Sequence, residues 1–202
     1  MLRVPAYDAF LDETDFTPAY VWQKRFMQRA NSNGHARWVL KAPDHAYSLD
    51  ALFKVFPDAI IIQTHRAPME VIKSATRLAY VVRKPFSDAL DLEQIAPAEA
   101  EALQKKISKI TRFRDTRPEL AGRFIDVTYH KLTSEPLKMI EEIYERLHCP
   151  LGENARHQMQ RLAMRSGRYS QHALSSQLRA TRADQCIDAG QFAGYSEQLG
   201  LS

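Results

Sequence analysis

Glycine is scarce in this chain and nowhere clustered: seven among 202 residues, each standing alone. The patterns GxxxxGK[ST], GxGxxG and GxSxG are all missing, so neither a standard phosphate-cradling loop nor a hydrolase nucleophile elbow is present. Cysteine is scarcer still. Cys149 and Cys186 are too few for a disulfide framework and lack metal-ligand spacing, so they read as two reduced thiols of a cytoplasmic protein. The seven histidines are scattered without zinc spacing, and no metal is expected. No apolar run approaches the ~18 residues that a membrane helix needs; the run at residues 59–62 is strand-sized. The opening MLRVPAYDAF has no apolar core followed by a small-residue cleavage site, which argues against a secretory leader.

What is there suits a soluble, folded α/β chain. Hydrophobic residues make up 45% and charged residues 26%, which excludes wholesale disorder. The net charge of +4 and pI near 9.1 suit an anionic small molecule, or a casual affinity for nucleic acid. The basic stripe Lys105, Lys106, Lys109, Arg112 and Arg114 reads first as a solvated helix face and only second as a guide for an anionic acceptor or DNA.

Three segments have strand character: Trp38-Val39-Leu40, the run from Ala59 to Thr64, and the run from Phe124 to Tyr129. The second is apolar on consecutive positions, which predicts a strand buried on both faces. Ser48 is the predicted N-cap of a helix through Leu49, Leu52, Phe53 and Phe56, stopped by Pro57. Pro68 opens another, with Val71, Ile72, Ala75, Leu78 and Ala79 inward. Residues 83–97, with Pro85 and Pro97, read as a loop, and 98–114 as a helix. An amphipathic helix follows through Leu137, Ile140, Tyr144 and Leu147, capped near Ser134. Helical pieces at 154–164 and about 183–199 close the chain. Strands alternating with helices imply a parallel sheet.

Ligands in such sheets bind beyond the strand C-termini, and polar residues gather there. Lys41 and His45 follow the first strand segment; His65 and Arg66 follow the second, with Ser74 two turns into the next helix. An arginine fork and a hydroxyl near a helix start suit a phosphate. Spacing alone favours, by a little, the plainer reading in which Arg66 pairs with an acidic neighbour and Ser74 merely packs.

The block Trp38-Val39-Leu40-Lys41-Ala42-Pro43-Asp44-His45, then Phe56-Pro57-Asp58-Ala59, then Thr64-His65-Arg66-Ala67-Pro68 with Ser74, resembles the central block of bacterial sulfotransferases. Tyr129-His130-Lys131-Leu132 with Glu135-Pro136, and the closing stretch from Phe192 to Leu201, resemble later segments of that family. The resemblance implies a truncated P-loop-like three-layer core with a parallel sheet and a helical C-terminal region. It makes residues 1–202 a single, N-terminally truncated domain. It implies transfer of a sulfuryl group from 3′-phosphoadenosine 5′-phosphosulfate (PAPS) to a hydroxyl or amine on a small-molecule acceptor, without metal or membrane. Arg66 and Ser74 would hold the 3′-phosphate, Tyr129 would lie against the adenine, and Arg168 would sit in a late loop closing over the phosphate. Lys41 would donate to the transferring group, and His45 would be the general base, with His65 its rival.

Two departures from the family pattern stand out. Ala67 replaces the aspartate of the family's H-R-D-P, at the cost of a helix-start contact. Nothing before Lys41 resembles the glycine- and serine-rich loop that cradles the 5′-phosphosulfate, so the chain is expected to be impaired or inactive as given. The alternatives are a non-catalytic module binding a nucleotide 3′-phosphate, or a basic nucleic-acid-binding protein. A sheet missing its first strand exposes an edge at which two copies could pair.

Overall fold

The computed structural model describes residues 4–31, 37–166 and 187–201, and these divide into two units. The first comprises Met1–Ile60 and Gln104–Arg123, the second Ile61–Leu103 and Phe124–Ser202.

In the first unit, helices α1 (Pro5–Glu13) and α2 (Thr17–Ala30) each carry a proline in the opening turn, where its missing N–H costs nothing. The Asp15 side chain accepts the Thr17 backbone N–H at 2.8 Å, which starts α2. Ser48 does precede the next helix, α3 (Leu49–Val55), and Leu49, Ala51, Leu52, Phe53 and Val55 are all buried. Phe53 stacks on Phe113 with centroids 5.6 Å apart. Lys24 donates to the Val55 carbonyl at 3.0 Å, satisfying an acceptor at the α3 C-terminus.

Not every apolar residue of this unit is covered. Trp22 is 68% exposed and Phe26 72%, one turn apart on α2, with the Arg25 guanidinium over the Trp22 ring; Trp38 is 41% exposed. The expected first strand at 38–40 does not form. Residues 37–42 have no ladder partner among the described residues, and Val39 lies 88% exposed, so local strand character alone could not make a strand.

The second unit is built on two parallel strands, β1 (Ile61–His65) and β2 (Phe124–Thr128), paired from Ile61↔Phe124 to His65↔Thr128. The sequence predicted β1 buried on both faces. Instead Ile62 is 44% exposed and, within β1, only His65 is buried, whereas Phe124, Ile125 and Val127 of β2 are buried.

Pro68 opens α4 (Pro68–Arg83), whose buried line is Pro68, Ile72 and Thr76, one turn apart. Leu78, expected inward, is 65% exposed, so the inward stripe is narrower than the apolar pattern suggested. Ile72 has no exposed surface, and Ile72→Ala is expected to destabilise the protein by about 2–5 kcal/mol in urea unfolding.

The expected loop at 83–97 is largely helix. After a short 3₁₀ turn at Lys84–Phe86, helix α5 runs over Leu92–Thr116, crossing from the second unit's residues into the first's, with Pro97 inside it. Asp91 caps it, accepting the Glu93 N–H at 2.8 Å on its side chain and the Gln94 and Ile95 N–H groups on its carbonyl. Ile95, Ala96 and Ala100 are buried, and together these offset the single backbone bond that Pro97 removes.

After β2 come α6 (Tyr129–Ser134), α7 (Pro136–Arg146) and α8 (Glu153–Ser166). Ser134 thus ends α6, and Glu135 precedes α7, whose first residue is Pro136. Ile125, Val127 and Met139 form a core, with Leu132, Ile143 and Leu147 against it. The last helix, α9 (Ala193–Leu199), ends at Gly200, whose left-handed φ of 60° lets Leu201 N–H reach the Ser196 carbonyl.

Candidate functional site

In the second unit, parallel pairing places two of the candidate ligand-binding residues side by side. His65↔Thr128 is the last register pair, so Arg66 and Tyr129 are the first residues beyond the sheet's C-terminal edge. There the Arg66 guanidinium lies over the Tyr129 ring, 4.4 Å from its centroid. Arg66 Nε also donates to Glu70 Oε2 at 2.7 Å, the acidic neighbour that spacing alone allowed. That bond takes Nε and leaves the two Nη groups as donors for a planar anion.

Ser74 is exposed, one turn beyond Glu70 on α4, and so shares the Glu70 face. Ala67 is the α4 N-cap without a side-chain bond, the lost contact expected from its replacing aspartate. Arg168 lies outside the described residues.

His65, the rival base, is only 1% exposed and both its ring nitrogens are engaged. Nε2 meets Asp126 Oδ1 at 2.8 Å and Nδ1 meets the Tyr195 hydroxyl at 2.7 Å. This is the setting of a structural histidine.

In the first unit, His45 sits in a short 3₁₀ helix, Pro43–Tyr47, and its Nδ1 is 2.8 Å from the hydroxyl of Tyr20 on α2. Tyr20 is 7% exposed, its ring edge-on to Phe56. Burial pushes the His45 pKa below its usual 6.5 and outweighs the opposing pull of the Asp44 carboxylate. Burial and Asp44 both push the Tyr20 phenol up. Lys41 is exposed in the irregular stretch before this helix.

The His45 shift has a stability consequence. A histidine whose folded pKa is depressed favours the neutral ring, so the fold loses stability as pH falls below the unfolded value of about 6.5 and gains nothing above it. Urea midpoints of the wild-type chain should therefore drop between about pH 7.5 and 5.5, and His45→Gln should flatten part of that drop. An identical slope in the variant contradicts the assignment.

Tyr20, Asp126, Tyr195 and Glu70 were not singled out from the sequence. Glu70 was findable by its i,i+4 spacing from Arg66; the other three are long-range partners with no local signal.

Residues 4–153 match the model of the Sulfotransferase family. The chain belongs to the sulfotransferase family. Two curated relatives, the omega-hydroxy-beta-dihydromenaquinone-9 sulfotransferase Stf3 of Mycobacterium bovis and that of Mycobacterium tuberculosis, are 25% identical over 162 residues, 75% of this chain and 39% of theirs. Among solved structures, sulfotransferase STF9 from Mycobacterium avium superposes with a TM-score of 0.78 at 25% identity, covering 100% of this chain and 52% of that one. Sulfotransferase STF1 from Mycobacterium tuberculosis H37Rv gives 0.75 at 29% identity, covering 95% and 49%. This sulfotransferase-family chain thus spans about half the length of the solved relatives, and its small parallel sheet with flanking helices is part of their P-loop-like α/β fold.

Proposed function

We propose that this chain serves sulfuryl transfer from PAPS to a hydroxyl or amine of a small-molecule acceptor, and that Arg66 and Tyr129 grip the nucleotide end of the donor. The observation that carries this reading is the Arg66–Tyr129 contact at the C-terminal edge of two parallel strands. The residues fit such a ligand. The Arg66 Nη groups match a 3′-phosphate, and the Tyr129 ring beside the guanidinium is the kind of aromatic surface against which an adenine lies. By the family resemblance, Ser74 and Arg168 would add a hydroxyl and a second cation to the phosphate.

By the family resemblance, Lys41 and His45 would serve the reacting end. Negative charge builds on the leaving phosphate as its bond to sulfur breaks, and the Lys41 ammonium stabilises it. The acceptor oxygen bonds to sulfur and gives its proton to His45 Nε2. Nδ1 is held by Tyr20, and the depressed pKa keeps the ring neutral and ready to accept.

A second reading, nucleotide binding without turnover by these 202 residues taken alone, is favoured by one observation. Residues 5–30 are taken up largely by α1 and α2, with no glycine among them, where a phosphosulfate-cradling loop would be sought. The nucleic-acid alternative loses ground, because Lys105 and Lys109 engage Asp12, and Lys106 and Lys109 lie over the Tyr47 ring.

Calorimetric titration of the chain with adenosine 3′,5′-bisphosphate tests the nucleotide reading. Saturable binding with 1:1 stoichiometry supports it. No heat, together with no nucleotide-dependent rise in melting temperature, overturns it.

A further inference from the structure

The closing segment from Phe192 to Leu201 lies beyond the residues matched by the family model, and the reading so far gives it no task. Its helix α9 has seven residues, too few to stand alone in water. Two anchors hold it to the second unit. Phe192 is 3% exposed, and the Tyr195 hydroxyl meets Nδ1 of the buried His65.

The hydrogen-bond direction along this chain follows from its acidic end. A carboxylate only accepts, so Asp126 Oδ1 requires the proton on His65 Nε2. In a neutral ring Nδ1 then accepts, and the Tyr195 O–H donates. Asp126, His65 and Tyr195 thus form one directed series linking β2, β1 and α9.

Its position matters more than its strength. Asp126 stands in register with Gln63, so His65 reaches diagonally to it across the two strands. The residue after His65 is Arg66, and Tyr129 comes three after Asp126. The tie clamps the strands just before they deliver the cation and the ring, and α9 is attached to that clamp.

We propose that Tyr195 is a positioning residue for the Arg66–Tyr129 pair, acting through His65, so that docking of α9 and binding of the nucleotide 3′-phosphate reinforce each other. The proposal rests on the nucleotide reading above. It adds that the C-terminal helix is energetically part of that site without touching the ligand. By linkage, what the helix contributes to nucleotide affinity the nucleotide returns as helix docking.

The test uses the whole chain with adenosine 3′,5′-bisphosphate as probe, and compares wild type with Tyr195→Phe. That variant removes one oxygen and keeps the ring and the Phe192 anchor, so the helix retains its apolar contact. Tyr195→Phe should weaken binding about fivefold or more, within the ordinary range of coupling factors. Nucleotide should slow amide hydrogen exchange at 193–199 in the wild type and not in the variant.

Met139→Ala serves as control, since it weakens the core of the same unit without touching the series. Equal affinity in Tyr195→Phe and wild type overturns the proposal while leaving the nucleotide reading intact. So does exchange at 193–199 that ignores the nucleotide, or an equal loss of affinity in Met139→Ala. A wild-type chain that binds no nucleotide overturns the nucleotide reading, and the coupling with it.

Discussion

Arg66→Ala is expected to weaken adenosine 3′,5′-bisphosphate binding by about 1.5–3 kcal/mol, roughly ten- to more than a hundredfold, as loss of a charge-assisted pair does. The cost to folding should be smaller. The Arg66–Glu70 pair is an i,i+4 bridge with side chains 31% and 56% exposed, a class worth about 0.3–0.5 kcal/mol. The contact with Tyr129 adds about 0.5–1 kcal/mol at a half-open site. Titration and thermal melting on the same samples separate the two quantities. A large fall in melting temperature with affinity unchanged would show that Arg66 serves the fold and that the phosphate site lies elsewhere.

The other large effect concerns turnover. The 202 residues by themselves are expected to transfer no sulfuryl group from labelled PAPS to phenols, alcohols, amines or sugars above a Lys41→Ala, His45→Ala control. In-line transfer needs the 5′-phosphosulfate held rigidly beside the acceptor, and orientation can supply about 7 kcal/mol or more of barrier lowering. In the proposed reading, Arg66, Ser74 and Tyr129 address only the far end of the donor. Lys41 is a single exposed ammonium, and the two helices over residues 5–30 offer no glycine-lined run of backbone donors. Turnover clearly above the control would mean that another segment of this chain takes the cradle's place, and would favour the catalytic reading over binding alone.

What the sequence disclosed and what it withheld follow a physical line. Local signals were legible. Pro68 and Pro57 bracket the elements around β1 as predicted, and β2 follows Gly122 closely. The adjacency of Arg66 and Tyr129 was only implicit, since it depends on the register of β1 on β2, which no local pattern specifies. The strand expected at 38–40 failed for the converse reason: its residues favour extended backbone, but a strand exists only where a partner does. Pro97 was misjudged because the Asp91 cap and the buried Ile95 and Ala96 outweigh one lost hydrogen bond.

The resemblance singled out His45 as a candidate base, and its local setting was not legible. Tyr20 stands 25 residues away and Tyr195 stands 130 from His65, so neither partnership leaves a trace in spacing. Burial therefore bears on the choice between the two candidate histidines. His65, with both nitrogens engaged and 1% exposure, is fixed in place, whereas at His45 the one described side-chain bond, to Tyr20, is at Nδ1.

The open positions of Trp22 and Trp38 govern how this protein can be watched. They are its only tryptophans, and at 68% and 41% exposure both indoles already emit largely into water in the native state. Denaturation will shift their emission little, so a flat fluorescence trace in urea would be mistaken for resistance to unfolding. Far-ultraviolet dichroism, which follows the helices directly, or the near-ultraviolet signal of enclosed Tyr20, will record the transition that the indoles conceal.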